Sequence, residues 1–241
     1  MLRTSQSYFP FLKSAKDRFY LHARRLARLP HDRDLACIRH IDFRDRVIVD
    51  VGANHGQSIE SCRLYRRDVA IHSFEPNPML AEMLRRRYAG CGGVTVHGVG
   101  LADRSDVFDL YVPSYRGFVY DGLASMDVRE ASEWLSPETI YGFSRDALSI
   151  NRLSCRVETL DAQGLKPAFI KIDVQGFELQ VLKGAAETLN AFRPVLLIEA
   201  VPPEGEIVRF LRGLGYVECA VRDGAIVPGS VGGKNALYAV P

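Results

Sequence analysis

Residues 47–56 read VIVDVGANHG, from Val47 to Gly56. Val47, Ile48, Val49 and Val51 surround Asp50 in a short, continuous apolar run, the pattern of a strand buried on both faces. The run ends in a loop with glycines at 52 and 56, and a helix-compatible stretch follows from Gln57 to about Arg67. A strand that feeds a glycine loop and then a helix N-terminus is a nucleotide-binding device. Glycine lets backbone approach a ligand closely, and the helix start offers N–H groups. About 25 residues after Asp50 comes Ile71–Pro78, IHSFEPNP, a second strand ending in an acid, Glu75. Such folds hold ribose hydroxyls at that place, so the spacing points to an enzyme with an adenosine-containing cofactor.

Outward from this pair the same alternation continues. Strands are expected at 70–74, 94–99, 107–112, 155–159, 168–173, 194–199, 216–221 and 236–240. Helices are expected from Pro78 to Tyr88, with Asn77 as its cap, over 177–191 and over 204–214. Strands alternating with helices give a parallel sheet covered on both faces, because right-handed crossovers require it. Residues 113–150 read as irregular and hold Tyr115, Phe118, Tyr120, Trp134, Tyr141 and Phe143, and 111–155 reads as a substrate-facing insertion. Residues 1–46 stand apart as a basic N-terminal extension, with 11 Arg and Lys against 5 Asp, while the remaining residues sum to about −4. Lys13–Leu29 reads as an amphipathic helix that either covers the domain 47–241 or touches an acidic membrane surface.

The whole chain carries a net charge of +2, which argues against a dedicated nucleic-acid binder. Five scattered cysteines, none in a CxxC pair, speak against a zinc site or a disulfide framework and fit a reducing cytoplasm. No apolar run approaches the roughly 20 residues that span a bilayer. The first residues, MLRTSQSYFPFLKSAK, lack a signal-peptide apolar region.

The loop Asp50–Gly56 reads GxxxG rather than GxGxxG, which weakens the case for a pyrophosphate and suits S-adenosylmethionine (SAM). Its ammonium would favour a carboxylate or carbonyls near Asp50 and Asn54, and its carboxylate the N–H groups of the loop. Further along, Phe169–Glu178, FIKIDVQGFE, ends a buried strand in Lys171 and Asp173, which share a strand face. Charged side chains at the carboxyl ends of central strands border the ligand crevice of open α/β sheets. They form either a structural ion pair or a catalytic one. Glu199 ends the next strand, VLLIEA, beside the Asp173 position. The two carboxylates either deprotonate a hydroxyl or hold a divalent cation, or serve structure alone. His55, His72 and His97 read as packing or hydrogen-bonding residues.

Taken together the blocks VIVDVGANHGQS at 47–58, SFEPNP at 73–78, VGLAD at 99–103, VETLD at 157–161, FIKIDVQGFELQVLKGA at 169–185 and RPVLLIE at 193–199 resemble the FkbM family of SAM-dependent methyltransferases. The resemblance spans about 47–240. It implies a Rossmann-like class I methyltransferase fold, α/β, with a seven-stranded, mostly parallel sheet, one strand reversed and helices on both faces. It implies that Asp50, Gly52, Asn54 and Gly56 cradle the methionine part of SAM, that Glu75 takes the ribose, and that Leu101, Ala102 and Asp103 line the adenine site. Many relatives read KIDVEG where this chain has KIDVQG at 171–176, so Gln175 stands in place of a carboxylate.

The expected activity is O-methylation of a hydroxyl, foremost in a sugar of a glycan, glycolipid or lipo-oligosaccharide, such as the 2-O position of fucose in rhizobial nodulation factors. Asp173 is the first candidate for the base, with His97 or Glu199 behind it and Lys171 as its partner. The alternatives are a polyketide-type or other small-molecule hydroxyl, a nicotinamide-dependent oxidoreductase, and a non-catalytic nucleotide-binding module. A base-amino methylase is disfavoured, because Asp173-Val-Gln-Gly does not resemble an NPPY-type motif.

Overall fold

A computed structural model describes residues 29–199, 201–229 and 235–241. These fall into two compact units, a larger one of 30–106 and 156–241 and a smaller one built on 107–155. The helix expected over Lys13–Leu29 lies, but for Leu29, outside the described residues.

The larger unit carries the sheet. Its strands are β1 (Val47–Val51), β2 (Ile71–Phe74), β3 (Val94–His97), β8 (Pro167–Ile172), β9 (Val195–Glu199), β10 (Val217–Arg222), β11 (Ala225–Pro228) and β12 (Asn235–Ala239). They lie side by side in the order β11-β10-β12-β9-β8-β1-β2-β3. From β3 through β9 all neighbours are parallel, while β12 runs against β9 and β10, and β11 runs against β10. The sheet thus has eight strands where seven were expected. The addition is β11, which turns back on β10 through Asp223 and Gly224, both at positive φ. Its composition, Ala-Ile-Val-Pro, is too short and too near a turn to announce itself.

The alternation of side chains along β1 sends Ile48 and Asp50 to one face and Val49 and Val51 to the other. On the first face Ile48, Ile71, Phe169, Leu197 and Leu237 meet Ile59 and Cys62 of helix α1 (Gln57–Tyr65), Leu84 and Tyr88 of helix α2 (Pro78–Tyr88), and Leu35 and Ile38 of a 3-10 helix at Asp34–His40. On the second face Val51, Phe74, Ile170, Ile172 and Ile198 meet Val181 and Leu182 of helix α4 (Glu178–Lys183), Leu189 of helix α5 (Ala186–Phe192) and Leu211 of helix α6 (Glu206–Gly213). Asn77 caps α2 by accepting from the Met79 N–H at 3.0 Å, with Pro78 in the first turn, as its sequence implied.

The single helix expected over 177–191 is two. The break falls at Gly184, where a Cβ would stand 1.8 Å from the Ala102 carbonyl oxygen. Asp161 then caps the second helix from outside, accepting from the N–H groups of Glu187 at 3.1 Å and Thr188 at 2.8 Å. Short strand β4 (Gly100–Leu101) pairs in parallel with the end of β7 (Leu148–Glu158), which is longer than the 155–159 expected.

In the smaller unit β5 (Asp106–Tyr115) and β6 (Phe118–Val119) form a hairpin around Arg116 and Gly117, both at positive φ. Tyr115, Phe118, Tyr120, Leu135 and Ile140 make its core, and helix α3 (Val128–Glu133) is capped by Asp127. The aromatic-rich segment, expected to be irregular, therefore has a core of its own.

Candidate functional site

The chain leaves β1 for β2 on one side and returns through β8 on the other, so the β1/β8 boundary is the switch point at which open α/β sheets bind ligands. Register decides what stands there. Asp50 lies opposite Ser73 on β2 and Lys171 on β8. One step further along, Ile172 pairs with Ile198, which sets Asp173 level with Glu199. Lys171, Asp173 and Glu199 lie together as the sequence implied, and the structure adds Asp50 to them through Lys171.

Asp50 is fully buried. Its Oδ2 accepts from the hydroxyls of Ser58 (2.8 Å) and Ser73 (2.6 Å). Its Oδ1 has no hydrogen-bond partner and faces the Lys171 ammonium at 3.8 Å. That separation is too long for a hydrogen bond and short enough for strong attraction away from water. Lys171 Nζ donates instead to Asp173 Oδ2 at 3.1 Å. Burial opposes the lysine charge, yet the carboxylates of Asp50, Asp173 and Glu199 more than offset it and raise its pKa above the ordinary lysine value.

Asp173 is held on both oxygens, since Gln175 Nε2 donates to Oδ1 at 2.9 Å. Burial works against its charge, but the Lys171 ammonium and hydrogen bonds with Glu199, Gln175 and Lys171 prevail and hold the carboxyl down to about 2. So held, Asp173 is kept as an anion. It remains a strong hydrogen-bond acceptor.

Glu75 is buried at the end of β2 and anchors two backbone N–H groups, that of Asn54 on Oε2 at 2.7 Å and that of Asn77 on Oε1 at 2.9 Å. Burial pushes its carboxyl up to about 7, against these two bonds, which favour the anion; the Asp50 charge adds to the rise. A carboxylate has about four acceptor sites, so two remain for hydroxyl donors.

The glycines of the loop also answer to the protein's own packing. At Gly52, φ is +85° and a Cβ would meet the Asp173 carbonyl oxygen at 1.9 Å. At Gly56, also +85°, it would meet Leu84 Cδ2 at 2.9 Å. Both are required by close approach of the protein to itself. Gly52→Ala is expected to destabilise the fold by about 3 kcal/mol or more, since it adds both backbone strain and overlap with the chain just past β8; urea denaturation of the purified variant checks this. Asn54 itself sits at φ +48° with its N–H on Glu75.

Leu101 is buried in the second-face core, and Ala102 N donates to Glu158 O at 2.9 Å, while Asp103 is partly exposed with Arg104 at 3.5 Å. His72 Nδ1 and His97 Nε2 lie 3.0 Å apart, and His97 stacks on Phe74. Burial lowers the pKa of both rings. Among the described residues no group of three or more His, Cys, Asp or Glu side chains is arranged to hold a metal ion, and no helix is long and apolar enough to cross a membrane. Ser58, Ser73 and Gln175 are the polar partners that sequence reasoning did not assign. Ser58 carried one signal, its place in the first turn of a helix that starts soon after Asp50.

Residues 50–218 match the family model described as the methyltransferase FkbM domain. Over 152 residues the chain is 27% identical to the 2-O-methyltransferase NoeI of Sinorhizobium fredii (strain NBRC 101917 / NGR234), across 62% of this chain and 61% of NoeI. The crystal structure of methyltransferase FkbM from Methylobacillus flagellatus KT is similar in fold, with a TM-score of 0.50 and 19% identity over 80% of this chain and 43% of that one. The chain therefore spans less than two thirds of the length of either relative. With its class I sheet and most of its length inside the family's domain, this chain belongs to the FkbM family of SAM-dependent methyltransferases.

Proposed function

We propose that the chain methylates a hydroxyl oxygen of a sugar, in a glycan, glycolipid or lipo-oligosaccharide. The observation that carries this reading is the Asp173 carboxylate, kept ionised at the switch point and gripped from two sides by Lys171 and Gln175. The 2-O-methyltransferase relative supports a hydroxyl acceptor.

The residues present fit SAM. Asp50 and Asp173 outnumber Lys171, so the edge is suited to a cofactor with a sulfonium and an ammonium. Glu75 has acceptor sites left for the ribose diol, and the first turn of α1 presents backbone N–H groups suited to a carboxylate. Gly52, Asn54 and Gly56 would border its methionine part, and Leu101 and Asp103 its adenine. Asp50, tied to two serines, acts on it through charge. When bound, SAM supplies an electrophilic methyl group.

Asp173 accepts a hydrogen bond from the acceptor hydroxyl and aligns its lone pair. It does not ionise the neutral alcohol. Were the hydroxyl oxygen to take the methyl group from a bound sulfonium, whose S–CH3 bond would break to leave S-adenosylhomocysteine, the hydroxyl proton would become strongly acidic and Asp173 would take it. Lys171 balances the charge.

The test is calorimetric titration with SAM, S-adenosylhomocysteine and NAD, followed by a screen of fucosylated and other glycan acceptors with methyl-tritiated SAM. Micromolar SAM binding with label transferred to a glycan is the expected result. Binding of NAD in place of SAM sinks the reading, as does label found only on non-sugar hydroxyls.

A further inference from the structure

We propose that Gln175 is a positioning residue, which grips one carboxylate oxygen of Asp173 from a left-handed backbone while Lys171 holds the other, so that the anion keeps a single heading. The inference rests on the reading of Asp173 as the group that meets the acceptor hydroxyl.

Gln175 sits at φ +52° and is followed by Gly176 at +93°. A long side chain rarely adopts that conformation, and it persists only where its surroundings impose it. Here the imposing group is Glu178, at the start of α4. Its Oε1 accepts from both the Val174 and the Gly176 N–H, each at 3.2 Å. Two N–H groups converging on one anion form a nest, and the residue between them is driven into the left-handed region. That turn carries the Gln175 side chain back over Asp173, where Nε2 donates to Oδ1 at 2.9 Å. Lys171 Nζ on Oδ2 at 3.1 Å fixes the other end. Neither bond alone prevents the carboxylate from rotating; the two together do.

The choice of an amide has a chemical consequence. An amide nitrogen is a donor at every pH, so it favours the Asp173 anion without adding charge. A glutamate in its place would set another carboxylate beside Asp173. The charged groups facing Asp173 are already Lys171 on its own strand, Glu199 on β9 and, through Lys171, Asp50 on β1. Were the introduced carboxyl ionised, repulsion would turn it or Asp173 away. Were it protonated, its O–H would replace the amide as donor. The pair would then titrate as a unit near the ordinary carboxylate range or above it.

The test uses the full chain labelled with carboxyl 13C aspartate and glutamate, its pH titration followed by NMR, and the Asp173 resonance identified by its loss in Asp173→Asn. In the wild type Asp173 is expected to stay ionised down to the acid limit of folding. In Gln175→Ala and Gln175→Gly its midpoint is expected to rise by about one unit or more. In Gln175→Glu two coupled steps are expected. Gln175→Gly also relieves the left-handed backbone, so its melting temperature should equal or exceed that of the wild type, which separates a lost grip from a damaged fold. An Asp173 midpoint unchanged in all three variants overturns the proposal. SAM calorimetry on the same proteins keeps the two readings apart. Wild-type protein that binds no SAM sinks the methyl-transfer reading, while the NMR titration still decides the grip on Asp173.

Discussion

Glu75→Ala is expected to weaken SAM binding at least a hundredfold, the largest loss from any single change at the cofactor edge. The carboxylate holds the N–H groups of Asn54 and Asn77 and has acceptor sites left for two ribose hydroxyls. Hydrogen bonds to a charged group contribute about 1.5–3 kcal/mol each, so two give roughly 10²–10⁴ in affinity. The pH dependence follows from the carboxyl pushed up to about 7, against 4.5 in an open chain. Only the anion accepts both hydroxyls, so wild-type affinity should fall about tenfold per pH unit below pH 7, and the alanine variant should show no such slope. Stability moves the opposite way. A carboxyl with a raised folded-state pKa contributes most below pH 4.5 and loses that contribution as pH rises through about 7, a change of about 3 kcal/mol. The alanine variant should therefore be penalised most at pH 5 and least at pH 8, where it no longer buries a charge. Calorimetry and urea melts from pH 5.5 to 8 read both slopes. A wild-type affinity that is flat across that range, with the variant within threefold of it, would remove Glu75 from the cofactor site.

The parts of this edge that the sequence made legible are those written in local chemistry. The run Val47–Val51, the Asn77–Pro78 helix start and the acid at Glu75 each follow from neighbours a few residues away, and all three lie where the sequence placed them. The alternation of strand and helix was enough for the class of sheet. What did not show is what distant segments do to one another. Gly52 was read as room for a ligand, but the atom that needs the room is the Asp173 carbonyl, far along the chain. Gly184 breaks a helix because the Ala102 carbonyl packs against it. Ser73 carried no assignment in its strand, and it makes the shortest hydrogen bond Asp50 has. The acidity of Asp173 was hidden for the same reason: it comes from Lys171, Glu199 and Gln175 acting together, and no pattern of residue types reveals which way three side chains turn.

Lys171→Met is expected to cost about 3 kcal/mol at neutral pH, because it leaves the buried Asp50 carboxylate and the half-buried Asp173 carboxylate without their shared cation. Lys171 is 12% exposed, Asp50 not at all, and one ammonium serves both Asp50 at 3.8 Å and Asp173 at 3.1 Å. Methionine fills nearly the same volume, so the loss reports charge more than packing. In the wild type, Asp173 is held at about 2 against 3.8, so its contribution of order 2 kcal/mol is present above pH 4 and is lost as pH falls through 2. In the variant the sign reverses. Without the ammonium, the burial that opposes the Asp173 charge is offset far less, so the variant regains stability as pH falls, and the gap between the two proteins should narrow from pH 8 to pH 5. A gap that stays constant would assign the loss to packing. Adding Asp50→Asn discriminates further. The asparagine oxygen can still accept from Ser58 and Ser73, while the unpaired charge is gone. Asp50→Asn should destabilise the wild type yet restore about 2 kcal/mol to Lys171→Met, a coupling well outside the few tenths expected of independent sites. Simple additivity would mean that the two serines hold Asp50 unaided, and that Lys171 serves Asp173 alone.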